Sequence, residues 1–462
     1  MPVEIKDKDR AGNVNPIFNC QPCGAQYAVI GLKDCIGLVH GGQGCCTFVR
    51  LMFAQHFKEN FDLASSSLHE DAAVFGAMNK AREGCEVLAR RYPDIRLIPM
   101  ITTCSTETIG DDMDSVKVQV DEYLAENFPD RDLRVFPIHT PSYAGSQVKG
   151  YDTAILTLVQ QLAKRGEANG KINVFTGWIN PGDVQELKYI LAEMKVDANI
   201  LIDTTSFDSP MLPDKSGFAR GNTTVEDIEE SANALGSIAL YKYEGGNAAK
   251  YLERLYKVPA ETDIIPIGIE NTDKFIKKVS QMTGKEIPYS LVEQRGKALD
   301  AIADLGHMFL ADKKVAIYGD PDLVIGLADF CIECGMQPVL LLFGDDLKAY
   351  KKDLRILAYE EKAANFDMEV ICNADLWDLE SRLKDESLKL DLILGHSKGR
   401  YISIDYGIPM VRVGFPTFDR AGVYKHPVIG YKGAEYLAEE IANAIFTDME
   451  YKKDKEWKLN VW

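Results

Sequence analysis

The chain has 462 residues, 46% hydrophobic and 26% charged, an ordinary globular composition with length for about three domains. A formal net charge of −18 excludes partners that require a basic face, such as nucleic acid or an anionic membrane surface. No apolar run reaches the roughly 20 residues of a membrane span, and the polar start MPVEIKDKDR does not read as an export signal. The 10 cysteines are too dilute for a disulfide framework. They are expected to be reduced, in the cytoplasm, and available for packing or metal.

Short apolar runs alternate with longer amphipathic stretches. Strands are predicted at 97–103, 135–138, 172–175, 198–202, 315–318, 338–342, 368–371, 390–394 and 410–413. Helical patterns lie between them, for example at 184–194, 323–334 and 433–446, and 261–304 reads as a helical connection. Continuous apolar strands followed by helices imply buried parallel sheet. The expected fold class is therefore α/β, with three doubly wound, Rossmann-like parallel-sheet domains. Polar breaks at 164–171 and 311–314 divide the chain into 1–169, 170–312 and 313–462.

Three cysteines in the first segment stand in stiff loops: Cys20 in NCQPCGAQ, Cys45 in VHGGQGCC and Cys104 in ITTCSTETIGDD. Gly and Pro let the backbone approach a bound group closely, and Ser, Thr and backbone N–H groups can hydrogen-bond to sulfur. Zinc would want four ligands in closed pairs, and a plant-type ferredoxin a tighter run. A dispersed set of thiols at loop ends suits a larger iron–sulfur cluster, of which this chain holds an incomplete set. Cys23 and Cys46 each offer a second thiol beside a member of that set. Cys35, Cys85 and Cys372 are read as small buried hydrophobes, and Cys331–x–x–Cys334 as helix packing. His40 and His56 are read as hydrogen-bonded histidines before they are read as ligands.

Other motifs compete. GHSKG at 395–399 matches the nucleophile elbow G-x-S-x-G, with Asp405 and His426 able to complete a Ser397–Asp–His order. The pattern is unspecific by itself, and only the short RYISIDYG follows it. The GGQG turn lacks the Lys-Ser/Thr of a phosphate loop, so any ATP chemistry belongs to a partner. A dinucleotide-binding module would need G-x-G-x-x-G after a strand, which is missing. Asp300 and Asp304 share one helix face in LDAIAD, a solvated surface unless another subunit completes a cation site there.

Taken together, NCQPCGAQYA, VHGGQGC, HEDAAVFGA, TTCSTETIGDD, HTPSYAGS, FPTFDRAG and EWKLNVW resemble the β subunit of the nitrogenase catalytic component. The likeness spans essentially the whole chain, and the joint occurrence of these motifs is specific. It implies that Cys20, Cys45 and Cys104 are the β-side ligands of an 8Fe-7S P-cluster shared with an α subunit. It further implies that Ser142 approaches the cluster, that Phe75 lies at the docking surface for an ATP-dependent iron–sulfur reductase, and that Asp300 and Asp304 sit at an intersubunit cation position. Lys58 stands there in place of the Arg of molybdenum types. The catalytic iron–sulfur cofactor (FeFe, alternatively FeV) is expected in the α subunit, so no substrate-binding residue is assigned to this chain. An α2β2 assembly with a small third subunit of the δ/γ type is implied. The chain starts without the N-terminal extension of molybdenum types. GHSKGRYISIDYGIPM and the LNVW end resemble the iron-only enzyme most, with the vanadium type as the alternative. A cofactor-assembly scaffold is the rival within the same family.

Overall fold

Short apolar runs become buried parallel strands. Leu97–Thr102 (LIPMIT) is buried at every position, as a strand covered on both faces by helices must be. Ile172–Phe175 and Leu392–Gly395 behave in the same way. The computed structural model describes residues 3–208, 220–263, 265–345 and 366–453. Among these residues the strands form three sheets in which every pairing is parallel. The C-terminal motif at 456–462 lies outside the described residues.

The chain divides into two compact units. The central unit comprises Asn19–Ile264 and Lys278–Glu286, and the terminal unit comprises Met1–Phe18, Ile265–Lys277 and Ile287–Trp462. The terminal unit carries a six-stranded sheet in the order β1-β12-β11-β10-β13-β14. Its strands are β1 (Glu4–Asp7), β10 (Lys314–Gly319), β11 (Gln337–Phe343), β12 (Glu369–Cys372), β13 (Leu392–Gly395) and β14 (Met410–Arg412). The pairing of β1 with β12 was not legible in the sequence, because EIKD reads as polar. It is an edge strand with exposed ends, and Lys6 forms an ion pair with Glu369 on its neighbour.

The central unit carries two four-stranded sheets. The first runs β3-β2-β4-β5, from β2 (Gly37–His40), β3 (Leu63–Ser65), β4 (Leu97–Thr102) and β5 (Arg134–Ile138). The second runs β7-β6-β8-β9, from β6 (Ile172–Phe175), β7 (Ala198–Leu201), β8 (Gly236–Ala239) and β9 (Ala260–Thr262). The strands β2, β3, β8 and β9 read GLVH, LAS, GSIA and AET, short segments in which Gly, Ser, His, Glu or Thr interrupts the apolar run that marks a buried strand. Beneath the first sheet lies a core built from Leu38, Met100 and Val135 on strands and Ala81, Cys85, Val116 and Val120 on helices. The connection read as helical contains the helices Gly268–Thr283 and Tyr289–Leu305, and begins at β9.

Four helices position the cysteine loops. They are α1 (Gln21–Ile30), α2 (Gln43–Phe57), α3 (Glu70–Phe75) and, after the helix α4 (Met78–Arg91), α5 (Cys104–Ile109). Two more matter for their packing, α6 (Met113–Asn127) and α7 (Gln147–Leu162). Pro22 in the first turn of α1 cannot donate a helical hydrogen bond and so fixes its start. Thr103 and Thr106 form a reciprocal capping box that starts α5. The Ser146 hydroxyl accepts from Val148 N–H at 3.2 Å and starts α7.

Candidate iron–sulfur half-site

Each of the three cysteines stands at a helix N-terminus. Cys20 is the cap residue of α1, Cys45 lies in the first turn of α2, and Cys104 is the first residue of α5. Helix N-termini carry partial positive charge and unpaired N–H groups, which favour thiolate over thiol. Ser142 begins a short 3-10 turn in the loop before α7.

Hydrogen bonds tie these four loops together. Asn19 and Gln147 hold each other through both backbone and side chain, and Gln21 Nε2 donates to Pro141 O at 2.9 Å. A backbone bridge pairs Cys20 with Ser146. Gln26, fully buried on α1, donates through Nε2 to the carbonyl of Cys45 at 3.3 Å. The hydroxyls of Thr103 and Thr106 both donate to the carbonyl of His40 at 3.0 Å, which joins the turn into α2 to the start of α5. Thr140 closes the ring by donating to Thr102 O at 2.6 Å.

Cys45 lies within electrostatic reach of both Cys20 and Cys104. Burial pushes the Cys45 thiol up, and the neighbouring Cys20 and Cys104 push it further. A Cys45 thiol held up in this way needs compensating positive charge before it can be a thiolate, which is what iron supplies. Cys20 and Cys45 are exposed and Cys104 is half-buried, so the set opens onto the surface of this chain. Among the described residues no three His, Cys, Asp or Glu side chains are arranged to hold a single metal ion. Beside them, the Ser142 hydroxyl oxygen is buried without a hydrogen-bond partner, a costly state unless another group completes it. An all-thiol donor set with an orphaned hydroxyl fits one side of a multi-iron cluster and does not fit a closed mononuclear site.

The structure separates the paired thiols. Cys23 is 0% exposed and Cys46 is 6% exposed, whereas Cys20 and Cys45 face outward. The second thiols therefore belong to the core. Cys331 is buried in its helix with its thiol pushed up to about 12 by burial alone, a packing cysteine. His40 and His56 are both buried and hydrogen-bonded, His40 to Ser66 and Asp111 and His56 to Asn180.

The remaining predicted positions lie elsewhere. Phe75 ends α3 and is 88% exposed, next to Val74 at 76%. Asp300 and Asp304 are exposed one turn apart on Tyr289–Leu305, as the spacing required. Ser397 is fully buried, its hydroxyl donates to Asp419 and accepts from Phe418 N–H at 3.0 Å, and Asp419 is itself paired with Arg412. Asp405 is exposed, and the His426 ring stacks on Tyr436 at 4.9 Å. A serine locked into a carboxylate–arginine pair is a structural residue, not an activated nucleophile. The neighbouring Lys398 ammonium donates to the carbonyls of Pro16, Ile17 and Phe18 at 3.2, 3.2 and 3.3 Å. GHSKG thus serves to hold the N-terminal segment within the terminal unit.

Two features of the site escaped the sequence reading. Gly24 and Gly150 mark where α1 and α7 cross. A Cβ on Gly24 would stand 1.9 Å from Gln147 O, and one on Gly150 would stand 2.0 Å from Gln21 O. Below them Tyr27 stacks on Trp178 at 4.3 Å and donates to Ile179 O at 2.6 Å, anchoring α1 to the second sheet. Neither glycine carries a local signal, because the contact joins residues far apart in sequence.

A fold of parallel sheets with thiols converging at helix ends defines an iron–sulfur oxidoreductase subunit. Residues 20–446 match the family of Nitrogenase component 1 type oxidoreductases, and the chain belongs to that family as a β chain of component 1. It is 62% identical to the nitrogenase vanadium-iron protein β chain of Trichormus variabilis and 58% identical to the nitrogenase iron-iron protein β chain of Rhodobacter capsulatus, in each case over 100% of both chains. It is 41% identical to the nitrogenase molybdenum-iron protein β chain of Methanococcus maripaludis, covering 99% of each, so overall length does not separate the types. The solved structure of nitrogenase Cp1 at pH 6.5 superposes with a TM-score of 0.91 at 34% identity, covering 98% of both chains. Family membership implies iron–sulfur clusters and an α partner in an α2β2 arrangement. Among the described residues no helix is long and apolar enough to cross a membrane.

Proposed function

We propose that this chain holds half of an 8Fe-7S P-cluster through Cys20, Cys45 and Cys104, in a complex that reduces dinitrogen to ammonia with evolution of dihydrogen. The observation that carries the reading is the convergence of three thiols at three helix N-termini on an open face, with the Ser142 hydroxyl buried and unpartnered beside them. When bound, such a cluster supplies storage and release of single electrons. The chain's own residues would orient it, and the α subunit that covers the exposed thiols would exclude water. The N-terminal ends of α1, α2 and α5 place partial positive charge near the thiols. The Thr103, Thr106 and Gln26 bonds fix the loops so that little reorganisation accompanies a change of charge.

The α subunit completes the site. Cys45, Phe48 and Leu51 follow one another at helical spacing along α2, with Phe48 61% and Leu51 53% exposed, and Tyr143 stands exposed beside Ser142. A thiol flanked by exposed apolar side chains is suited to burial under a partner. The α subunit would carry the FeFe or FeV cofactor. A separate ATP-hydrolysing iron–sulfur reductase would dock near Phe75 and deliver electrons. Asp300 and Asp304 would contribute to an intersubunit cation site, and a small third subunit would complete a cytoplasmic complex.

The iron-only type is the reading favoured by the GHSKGRYISIDYGIPM segment, and the 62% identity to a vanadium-iron β chain keeps the vanadium type as its alternative. Metal analysis of the complex purified without oxygen tests both. Iron with acid-labile sulfide and neither vanadium nor molybdenum is expected. Vanadium in stoichiometric amount would transfer the assignment to the vanadium type, and a complex without iron would overturn the cluster reading altogether.

A further inference from the structure

His40 sits at the end of β2 with its side chain fully buried. Ser66 Oγ accepts from Gly41 N–H at 3.1 Å and lies 2.9 Å from His40 Nδ1. The hydroxyl proton is then free to go to Nδ1, which makes Nε2 the protonated nitrogen. Nε2 donates to Asp111 Oδ2 at 3.1 Å, and the other oxygen of Asp111 accepts from Ala77 N–H at 2.9 Å. The His40 carbonyl receives both threonine hydroxyls of the Cys104 turn. One residue is therefore bonded to the turn that enters the Cys45 helix, to the start of the Cys104 helix and, through Asp111, to the foot of α3.

The far end of this chain of bonds is a protruding one. None of the residues of α3 is buried, and it ends in the exposed pair Val74–Phe75. Gly76 follows at φ +98°, a backbone conformation that favours glycine and turns the chain from α3 into Ala77. A load placed on Phe75 passes into the packing of α3 on α5, into the bond from Leu68 N–H to Gly41 O at 2.9 Å that precedes α3, and into the Ala77–Asp111 bond that follows it. At Gly41 the turn is tight: a Cβ there would stand 2.3 Å from Thr103 Oγ1. A shift of His40 thus moves the two cysteine loops together.

We propose that His40 and Asp111 are positioning residues that transmit docking at Phe75 to the loops of Cys45 and Cys104. This rests on the assignment of Phe75 to the reductase-docking surface. The transmission is mechanical: no covalent bond or proton is exchanged along His40 and Asp111, and only the placement of the cysteine loops changes.

Amide hydrogen exchange on the assembled complex tests it, with the reductase held in place by a non-hydrolysable ATP analogue. In the wild type, docking is expected to slow exchange at 70–77 and to alter it at 41–46 and 103–107. In Asp111→Ala the change at 70–77 persists, while that at 41–46 and 103–107 shrinks by about fivefold or more. Equal transmission in Asp111→Ala overturns the proposal. The wild type decides alone should the variant not accumulate: a change at 70–77 with none at 41–46 and 103–107 overturns the linkage while leaving the docking assignment intact. No change at 70–77 overturns the docking assignment, and the linkage with it.

Discussion

Cys104→Ala is expected to yield a complex without the shared cluster. Cys104 is the first residue of α5, held there by the Thr103–Thr106 box and by the bonds of both threonines to His40. No other thiol can take its place, because Cys23 and Cys46 are buried and committed to the core. Groups that merely support a metal ligand change affinity by about 10–100-fold when removed, so loss of the ligand itself should cost about 100-fold or more in activity. Iron content should fall with it, since a cluster that bridges two chains also holds them together. Cys331→Ala provides the contrast. That thiol is fully buried inside the terminal unit, in the last turn of the helix Pro321–Glu333, and its loss should cost about 1–2 kcal/mol of packing while iron is retained. Iron quantitation of both variants purified without oxygen checks the pair. A Cys104→Ala complex with full iron and normal activity contradicts the assignment.

The second large effect is expected at the crossing of α1 and α7. Gly24→Ala or Gly150→Ala places a methyl group about 2 Å from a backbone carbonyl of the facing helix. Backbone cannot rotate away as a side chain can, so the helices must separate. Overpacking costs typically 1–3 kcal/mol, and a contact this short belongs at the upper end, about 3 kcal/mol. For a unit of this size that corresponds to a fall of about 6 °C in melting temperature. The displacement falls on Cys20, because the Gln147–Asn19 and Gln21–Pro141 bonds that locate it lie at the same crossing. Calorimetry together with iron analysis should therefore register both losses. An unchanged melting temperature with unchanged iron would show that the crossing has slack which the geometry does not contain.

Strands such as β4, β6 and β13 were legible because a strand buried on both faces must be continuously apolar. The cysteine loops were legible because Gly, Pro and Thr cluster where a chain turns tightly around a bound group. The edge strand β1 was not, since its outer face obeys solvent. The distinction between Cys20 and Cys23, or Cys45 and Cys46, was not legible either. Adjacent or nearby residues on a helix differ in burial only once the packing partners are known, and those partners come from distant segments. Asp111 and Gln26 were missed for the same reason: each acts on a loop far from itself in sequence.

GHSKG shows the converse. The pattern fits a nucleophile elbow locally, yet the structure commits Ser397 to Asp419 and Lys398 to three carbonyls. A short motif states which residues are present and leaves open what they touch. At the cysteine loops the decisive fact was likewise contact: the bonds of Gln26, Thr103 and Thr106 and the Cys20–Ser146 bridge join loops that are separate in sequence.

If the site is half of a shared cluster, iron bound by this chain alone must differ from iron bound together with its α partner. The chain purified by itself without oxygen is expected to lack a stable 8Fe-7S centre, and the complex with the α subunit to contain one. A stable centre of that composition on the isolated chain would contradict the account.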